Sequence, residues 1–391
     1  MSWHLVNLGE CVDILSGFAF KSSCFNDSGD GLPLVRIRDV VRGESNTYYS
    51  GEYAELYVLK NDDLLIGMDG DFNREKWTGG KALLNQRVCK ITADPSVLDQ
   101  QYLYHFLPKE LLRIHASTPA VTVKHLSVKG IRAIEIPLPY PDDPEKSLKE
   151  QKRIAAILDK ADGIRRKRQQ AIQLADDFLR SVFLDMFGDP VANPKGWEMK
   201  VGGEHYDVRG RVGWKGYKKT DLRDEGSLVL GATHITNLGE VNLTKPVYLS
   251  EEKYLESPEI MVELNDLLFV QRGNTIGKIA LVDNELGEAT INPVLLILRP
   301  QLSNPIFLLN LLMNERQKYE IISFNSGSAQ PMITQKSMKE CSLINPPVSL
   351  QNRFSEMASK IEQKKELAKK SLQKSDGLFN SLSQLAFNGE L

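Results

Sequence analysis

The chain has 391 residues and a mass of 44.0 kDa, room for two or three domains with a substantial core. Its composition, 41% hydrophobic and 26% charged with a net charge of -2, is that of an ordinary globular protein and gives no gross bias toward polyanions. No apolar run reaches the ~18 residues of a membrane span, the opening MSWHLVNLGE lacks a leader pattern, and Cys11, Cys24, Cys89 and Cys341 form no CxxC pair, so a protein of a reducing cytoplasm is expected rather than a membrane, disulfide or zinc-ribbon protein.

Short apolar or alternating runs bounded by turn residues predict strands at 32–37, 63–68, 83–91 and 131–137, with a helix over 98–115. The loops between them are polar and rich in glycine, aromatics and bases, notably 67–80 and the segment Gly17-Phe-Ala-Phe-Lys21. Pro137, Pro139, Pro141 and Pro144 then interrupt regular structure. Over 148–187, Ile154, Ile157, Ala161, Ile164, Ala171, Ala175, Phe178 and Val182 recur at alternating three- and four-residue steps, the spacing of a coiled-coil seam. Such a helix would be a rod of roughly 60 Å.

Gly188-Asp189-Pro190 closes that helix, and the pattern begins again. Strands are predicted at 229–232, 266–270, 278–282 and 294–298, with a helix over 305–323. The loop Arg209-Gly-Arg-Val-Gly-Trp-Lys-Gly-Tyr-Lys-Lys219 interleaves bases with aromatics and holds no acid. Over 195–219 seven Lys or Arg face three Asp or Glu. A local patch of this kind suits a polyanion, although most basic loops are simply solvated surface. After Pro346-Pro347 a second seam follows through Phe354, Met357, Ile361, Ala368, Ser371, Leu378, Leu382 and Leu385.

The second half therefore repeats the first. Trp3, Gly9, Glu10 and Asp13 match Trp197, Gly203, Glu204 and Asp207; Asp63-Leu-Leu65 matches Asp266-Leu-Leu268. Gln151, Arg153, Lys160, Gln173, Asp176, Ser181 and Phe187 match Gln351, Arg353, Lys360, Gln373, Asp376, Ser381 and Phe387 at a constant offset of 200. One such match means little, but the same order along the chain marks a duplicated unit. Two equal helices in one chain invite pairing with each other.

Catalytic and metal-binding patterns fail. Gly273–Ile279 departs from a phosphate-binding loop in spacing and has Ile in place of the magnesium-binding hydroxyl. Asn345-Pro-Pro-Val348 lacks the aromatic that would stack on a flipped base. Pro141-Asp142 with Glu150 and Lys152 is too compact for a nuclease set, and the six histidines show no tight ligand spacing. No catalytic residue and no metal site is assigned.

This architecture resembles the specificity subunit of a type I restriction–modification system. The local cues are Gly17-Phe-Ala-Phe-Lys-Ser-Ser23, the entries Asn61–Leu65 and Leu264–Leu268, the turn Asn85-Gln-Arg87, and the helix openings Glu150-Gln-Lys-Arg-Ile154 and Leu350-Gln-Asn-Arg-Phe354. One departure is Asn292-Pro-Val294 where the first copy has Asn85-Gln-Arg87. The resemblance implies an α+β protein: two pseudo-symmetric, mixed α/β target-recognition domains, 1–144 and 190–347, joined by two long antiparallel α-helices in a coiled coil, the helical spacers 145–189 and 348–391. It implies a non-catalytic reader of double-stranded DNA with a split asymmetric target, partnered by two methyltransferase subunits and restriction subunits. S-adenosylmethionine, ATP and magnesium would bind those partners and not this chain. DNA contacts are then expected from Lys21, Arg36, Arg38, Asn73, Arg74 and Lys76 in the first domain, and from Lys215, Tyr217, Lys218, Lys219, Gln271, Arg272, Asn274 and Lys278 in the second. Ile154, Ile157, Ile164, Phe178, Phe354, Met357, Ile361 and Leu378 are expected on the contact helices. A protein-binding coiled-coil scaffold without DNA readout, or a self-sufficient DNA-modifying enzyme, are the rival readings.

Overall fold

The computed structural model describes residues 3–118, 123–211, 217–323 and 332–391. They form two compact units. Unit 1 comprises Met1–Gln169 with Lys370–Leu391, and unit 2 comprises Gln170–Lys369.

Unit 1 contains β1 (His4–Asn7), β2 (Val12–Ser16), β3 (Phe25–Asn26), β4 (Leu32–Val35), α1 (Ile37–Arg42), β5 (Tyr48–Tyr49), β6 (Val58–Leu59), β7 (Leu64–Gly67), β8 (Arg74–Lys76), β9 (Ala82–Leu84), β10 (Val88–Ala93), α2 (Gln100–Ser117), α3 (Val128–Arg132) and β11 (Glu135–Leu138), followed by α4 (Pro144–Phe187), which starts here and ends in unit 2. The sheets run β1-β11, β2-β10-β7-β8 and β3-β5-β4-β9-β6. The central strand β7 is buried on both faces. Leu64 and Ile66 enter one core with Tyr102, Leu103 and Leu107 of α2, while Leu65 enters another with Val35, Trp77 and Leu84. A strand covered on both sides reads as an unbroken apolar run, as Leu-Leu-Ile does.

Unit 2 contains β12 (Met199–Val201), α5 (Gly202–His205), β13 (Tyr206–Arg209), β14 (Leu222–Arg223), β15 (Ser227–Leu230), β16 (Tyr248–Leu249), α6 (Glu251–Leu255), β17 (Leu267–Val270), β18 (Ile279–Leu281), β19 (Ala289–Ile291), β20 (Leu295–Pro300), α7 (Pro305–Met313), α8 (Glu315–Ser323), α9 (Gln335–Glu340), β21 (Ser342–Ile344) and the start of α10 (Val348–Asn388). Its sheets run β12-β21, β13-β20-β17-β18 and β14-β16-β15-β19, the order of unit 1 without the edge strand β6. The parallel pairing of β4 with β9 repeats as β15 with β19.

The repeated sequence cues have repeated physical jobs. In both strand entries the residue before the shared aspartate, Asp62 or Asn265, takes a left-handed φ of 71° or 72°. The aspartate then closes the turn, accepting from Lys60 N at 2.9 Å or from Glu263 N at 2.7 Å. Asp and Asn tolerate that conformation better than most residues. Gly31 and Gly226, both at positive φ, lie where an added Cβ would meet the carbonyl oxygen of Tyr49 or Leu249, at 2.0 and 2.7 Å. The helix-opening glutamines are fully buried. Gln151 accepts from Asp99 N at 2.8 Å and donates to Val97 O at 3.0 Å; Gln351 accepts from Asn304 N at 2.9 Å and donates to Pro346 O at 2.8 Å. Asp99 and Asn304 in turn cap α2 and α7, so each glutamine ties a long helix to the cap of a domain helix.

The long helices pair antiparallel within each unit. In unit 1 Arg165 meets Asp376 at 3.0 Å, Arg168 donates to Ser371 O at 2.8 Å, and Arg153 donates to Leu391 O at 2.8 Å. In unit 2 Lys365 meets Asp176 at 2.9 Å and the rings of Phe183 and Phe354 lie 5.5 Å apart. Arg165–Asp376 and Lys365–Asp176 are the same pair under the offset of 200, each base on one helix and its acid on the other.

Three expectations need correction. The run 83–91 is two strands, β9 and β10, placed in different sheets by the turn at Arg87, whose φ is 74°. The helix 305–323 breaks at Asn314, whose side chain caps α8 by accepting from Arg316 N and Gln317 N. The strand 131–137 starts only at Glu135, because Ile131 belongs to α3.

The seam is half as expected. Ile154 and Phe354 are fully buried, but Ile157, Met357 and Ile361 are half-buried and Ile164, Phe178 and Leu378 are exposed. The second column lies one residue further on in both helices, through Leu158, Arg165, Ile172 and Leu179 and through Ala358, Lys365, Leu372 and Phe379. Arg165 and Lys365 can occupy it because a carboxylate faces each of them. No helix among the described residues is long and apolar enough to cross a membrane.

Candidate nucleic-acid interface

In unit 1, Lys21, Arg36, Arg38 and Asn73 are exposed. Lys21 precedes a turn of 3-10 helix, and Arg36 and Arg38 flank the start of α1, with the Arg38 guanidinium 3.7 Å from Asp39. Asn73 lies in the β7–β8 loop, its carbonyl accepting from Gly67 N. Arg74 is instead turned inward. Its side chain is 14% exposed, 3.4 Å from Glu75, with the guanidinium 3.6 Å above the Tyr104 ring. Lys76 is half-buried beside the same ring.

These strand residues feed a polar network between β8, α2 and α4. Tyr104 donates to Glu75 at 2.5 Å, and Arg166 bridges Glu75 at 3.1 Å and Asp162 at 2.7 Å. Burial pushes the Tyr104 hydroxyl up to about 12, so it remains a donor at neutral pH. One turn earlier on α4, Asp159 accepts from Gln101 and from His105 Nε2 at 2.7 Å. Burial lowers the His105 pKa, against the opposing pull of Asp159.

In unit 2, Lys218, Lys219, Arg272 and Asn274 are exposed, while Tyr217, Gln271 and Lys278 are half-buried. Lys215 lies outside the described residues. Arg211 sits 5.7 Å over the Tyr217 ring, and burial raises the Tyr217 pKa while Arg211 opposes it. Gln271 faces the scaffold, donating from Nε2 to Pro293 O at 2.9 Å.

A three-loop platform recurs in both units, and sequence reasoning assigned most of its side chains no role. In unit 1 Met68 N donates to Arg87 O at 2.8 Å, Leu126 N donates to Met68 O at 2.7 Å, and Asp69 bridges His125 across the backbone. In unit 2 Gln271 N donates to Val294 O at 2.9 Å, Ile333 N donates to Gln271 O at 2.9 Å, and Arg272 bridges Met332. The one available signal was the change from Asn85-Gln-Arg87 to Asn292-Pro-Val294. Asp69 and His125, far apart in sequence, gave none.

Two copies of one strand order, each flanked by half of two antiparallel helices, are the setting in which the family match falls. The family model of the type I restriction modification DNA specificity domain matches the chain twice, over residues 2–174 and 212–374. The chain belongs to this family. It is 29% identical over 423 residues to the type I restriction enzyme EcoBI specificity subunit of Escherichia coli, covering 100% of this chain and 86% of that protein. Its fold is similar to the crystal structure of a type I restriction-modification S subunit from M. genitalium, with a TM-score of 0.57 at 16% identity, over 99% of this chain and 96% of that one. A chain solved in work on complex assembly and conformational transition of the type I R-M system covers 100% of this chain and 98% of itself, with a TM-score of 0.51 at 18% identity. DNA target recognition is the general role of the family, and the duplicated S-subunit architecture, with its long helices, is the one this chain adopts.

Proposed function

We propose that the chain is the non-catalytic DNA reader of a type I restriction–modification complex, in which each unit reads one half of a split, asymmetric duplex site. The observation that carries this reading is the contrast between framework and loops. Strand order, turn chemistry and glutamine ties are duplicated, while the loop side chains presented on that framework differ. Such a chain meets two different sequences with one geometry. Lys21, Arg36, Arg38, Asn73 and Lys76 in unit 1, and Lys218, Lys219, Arg272, Asn274 and Lys278 in unit 2, supply phosphate and base contacts, joined by Lys215 and Tyr217. The inward Arg74 acts through β8.

In this reading α4 and α10 set the unread spacer and dock two methyltransferase subunits, to which restriction subunits add. Apolar side chains outside the seam support the docking role: Ile164, Leu378 and Leu385 in unit 1, and Leu174, Phe178 and Leu367 in unit 2 are all exposed. S-adenosylmethionine, ATP and magnesium belong to the partners. Cytoplasmic residence follows from the substrate.

The test is methylation of a random duplex library by the chain reconstituted with its methyltransferase subunits. A bipartite motif with a fixed gap is expected, and Lys218→Ala should weaken all sequences alike, reducing the salt dependence. Modification without sequence preference would favour the scaffold reading. S-adenosylmethionine binding by the isolated chain would favour a self-sufficient enzyme.

A further inference from the structure

We infer that the three-loop platform is the base-reading centre of each unit. In unit 1 an arginine, Arg87, is braced by Asp69 with His125 beside it; in unit 2 Arg272 stands beside Val294 and Met332. This rests on the DNA-reading function proposed above and deepens it.

The first argument is the matched backbone. The same two interloop hydrogen bonds and the same bridge fix the three positions in each unit. Towards the core the occupants agree in kind, since Leu126 and Ile333 are both buried aliphatics. At the surface Asp69 becomes Arg272 and His125 becomes Met332, while Arg87 is replaced by Val294, which packs partly against the core. A surface kept only for folding has no reason to hold its backbone and exchange the side chains it exposes.

The second argument is exposure with bracing. The side chains of Arg87 and His125 are 54% and 49% exposed, yet Asp69 holds both, accepting from His125 Nδ1 at 2.6 Å and lying 3.5 Å from Arg87. A carboxylate that fixes an exposed guanidinium pre-organises it for a partner. Its remaining N–H groups suit the paired O6 and N7 acceptors of guanine. With Nδ1 committed to Asp69, His125 leaves Nε2 as the ring atom that can face a base edge. In unit 2 Arg272 again suits guanine, while the 45% exposed Met332 suits the methyl group of thymine.

The third argument is the backbone of Arg87. Its φ of 74° lies in the left-handed region, where glycine or asparagine would sit more easily. A turn selected for stability alone would carry one of those. A long cationic side chain placed in this conformation points to a use for the side chain.

The experiment uses the chain reconstituted with its methyltransferase subunits and a random duplex library, with the selected motif as readout. Arg87→Gly relieves the backbone conformation, so its thermal midpoint should not fall below wild type. It should nonetheless relax the preference at one base pair of one half-site by about tenfold to a hundredfold. Arg272→Ala should relax one base pair of the other half-site only. If both variants keep the full wild-type motif, or if either weakens all sequences equally, the platform is not the base reader, although the DNA-reading function stands. If wild type itself selects no motif, that function falls and this inference with it.

Discussion

The two units share strand order, register and turn chemistry, yet different chemistry packs the long helices against them. In unit 1 polar chains flank the apolar contacts of the joint: Glu75, Tyr104, Arg166 and Asp162 form one hydrogen-bonded chain, and His105, Gln101 and Asp159 form another. In unit 2 Phe183, Phe187, Phe307 and Phe354 form an aromatic cluster with centroids 4.8–6.0 Å apart. The aromatic at each helix end is shared, each packing on the ring three residues after a domain-helix cap, and only the second ring beside it differs. Phe187 packs on Phe307 and Phe354, whereas Phe387 packs on Tyr102 and Phe106. Backbone hydrogen bonds and turn residues thus specify the shared geometry, and side-chain volume and polarity can be exchanged within it.

The sharpest way to break this comparison is at the aspartate that both strand entries share. Asp266 is fully buried and bidentate to Arg299, with both contacts at 2.8 Å, while Asp63 has only a 3.7 Å approach to Lys90. Asp266→Ala removes two charge-assisted hydrogen bonds and leaves the Arg299 guanidinium with only Glu263 and Met261 O, so it should destabilise by about 2–3 kcal/mol. Asp63→Ala loses chiefly the turn hydrogen bond, about 1 kcal/mol. Denaturant midpoints of the two variants check this, and equal effects would remove the asymmetry.

The glutamines should behave alike where the aspartates do not. Gln151→Ala and Gln351→Ala each leave a part-buried backbone N–H without its acceptor, so each should cost about 1–2 kcal/mol. Unequal losses would mean that the shared hydrogen bonds are not equally important in the two frameworks.

The smallest expected effect is on pH dependence. His105 has a folded-state pKa below its unfolded value, chiefly through burial. Its contribution is therefore present above the unfolded pKa of about 6.5 and is lost as pH falls, because the unfolded chain takes up a proton that the folded chain refuses. His205, buried in unit 2, shifts in the same direction. Thermal midpoints at pH 7.5 and 5.5 should differ less in His105→Gln than in wild type. An unchanged difference would show that His105 does not contribute to it.

Much of the fold was legible because the duplicated features are local. A left-handed residue before an aspartate, a proline-marked boundary and an alternating apolar run each act within a few residues. One seam column was legible for the same reason. The other was displaced by one residue, because 157/158, 171/172 and 178/179 each offer two neighbouring apolar residues, and Arg165 looks like a surface residue until Asp376 faces it. The loop candidates were chosen as basic and polar residues of loops, a criterion that cannot foresee Tyr104 drawing Arg74 inward or Pro293 O engaging Gln271.

The sequence by itself determined that the chain is written twice and that each copy carries a long amphipathic helix, since composition, periodicity and turn residues are properties of short segments. Only the tertiary structure decided which face of each helix is buried, which bases are internal, and which loops meet at Asp69, Arg87 and His125. Those outcomes depend on partners brought together from distant parts of the chain, and the burial of a charge is tolerable only where such a partner arrives.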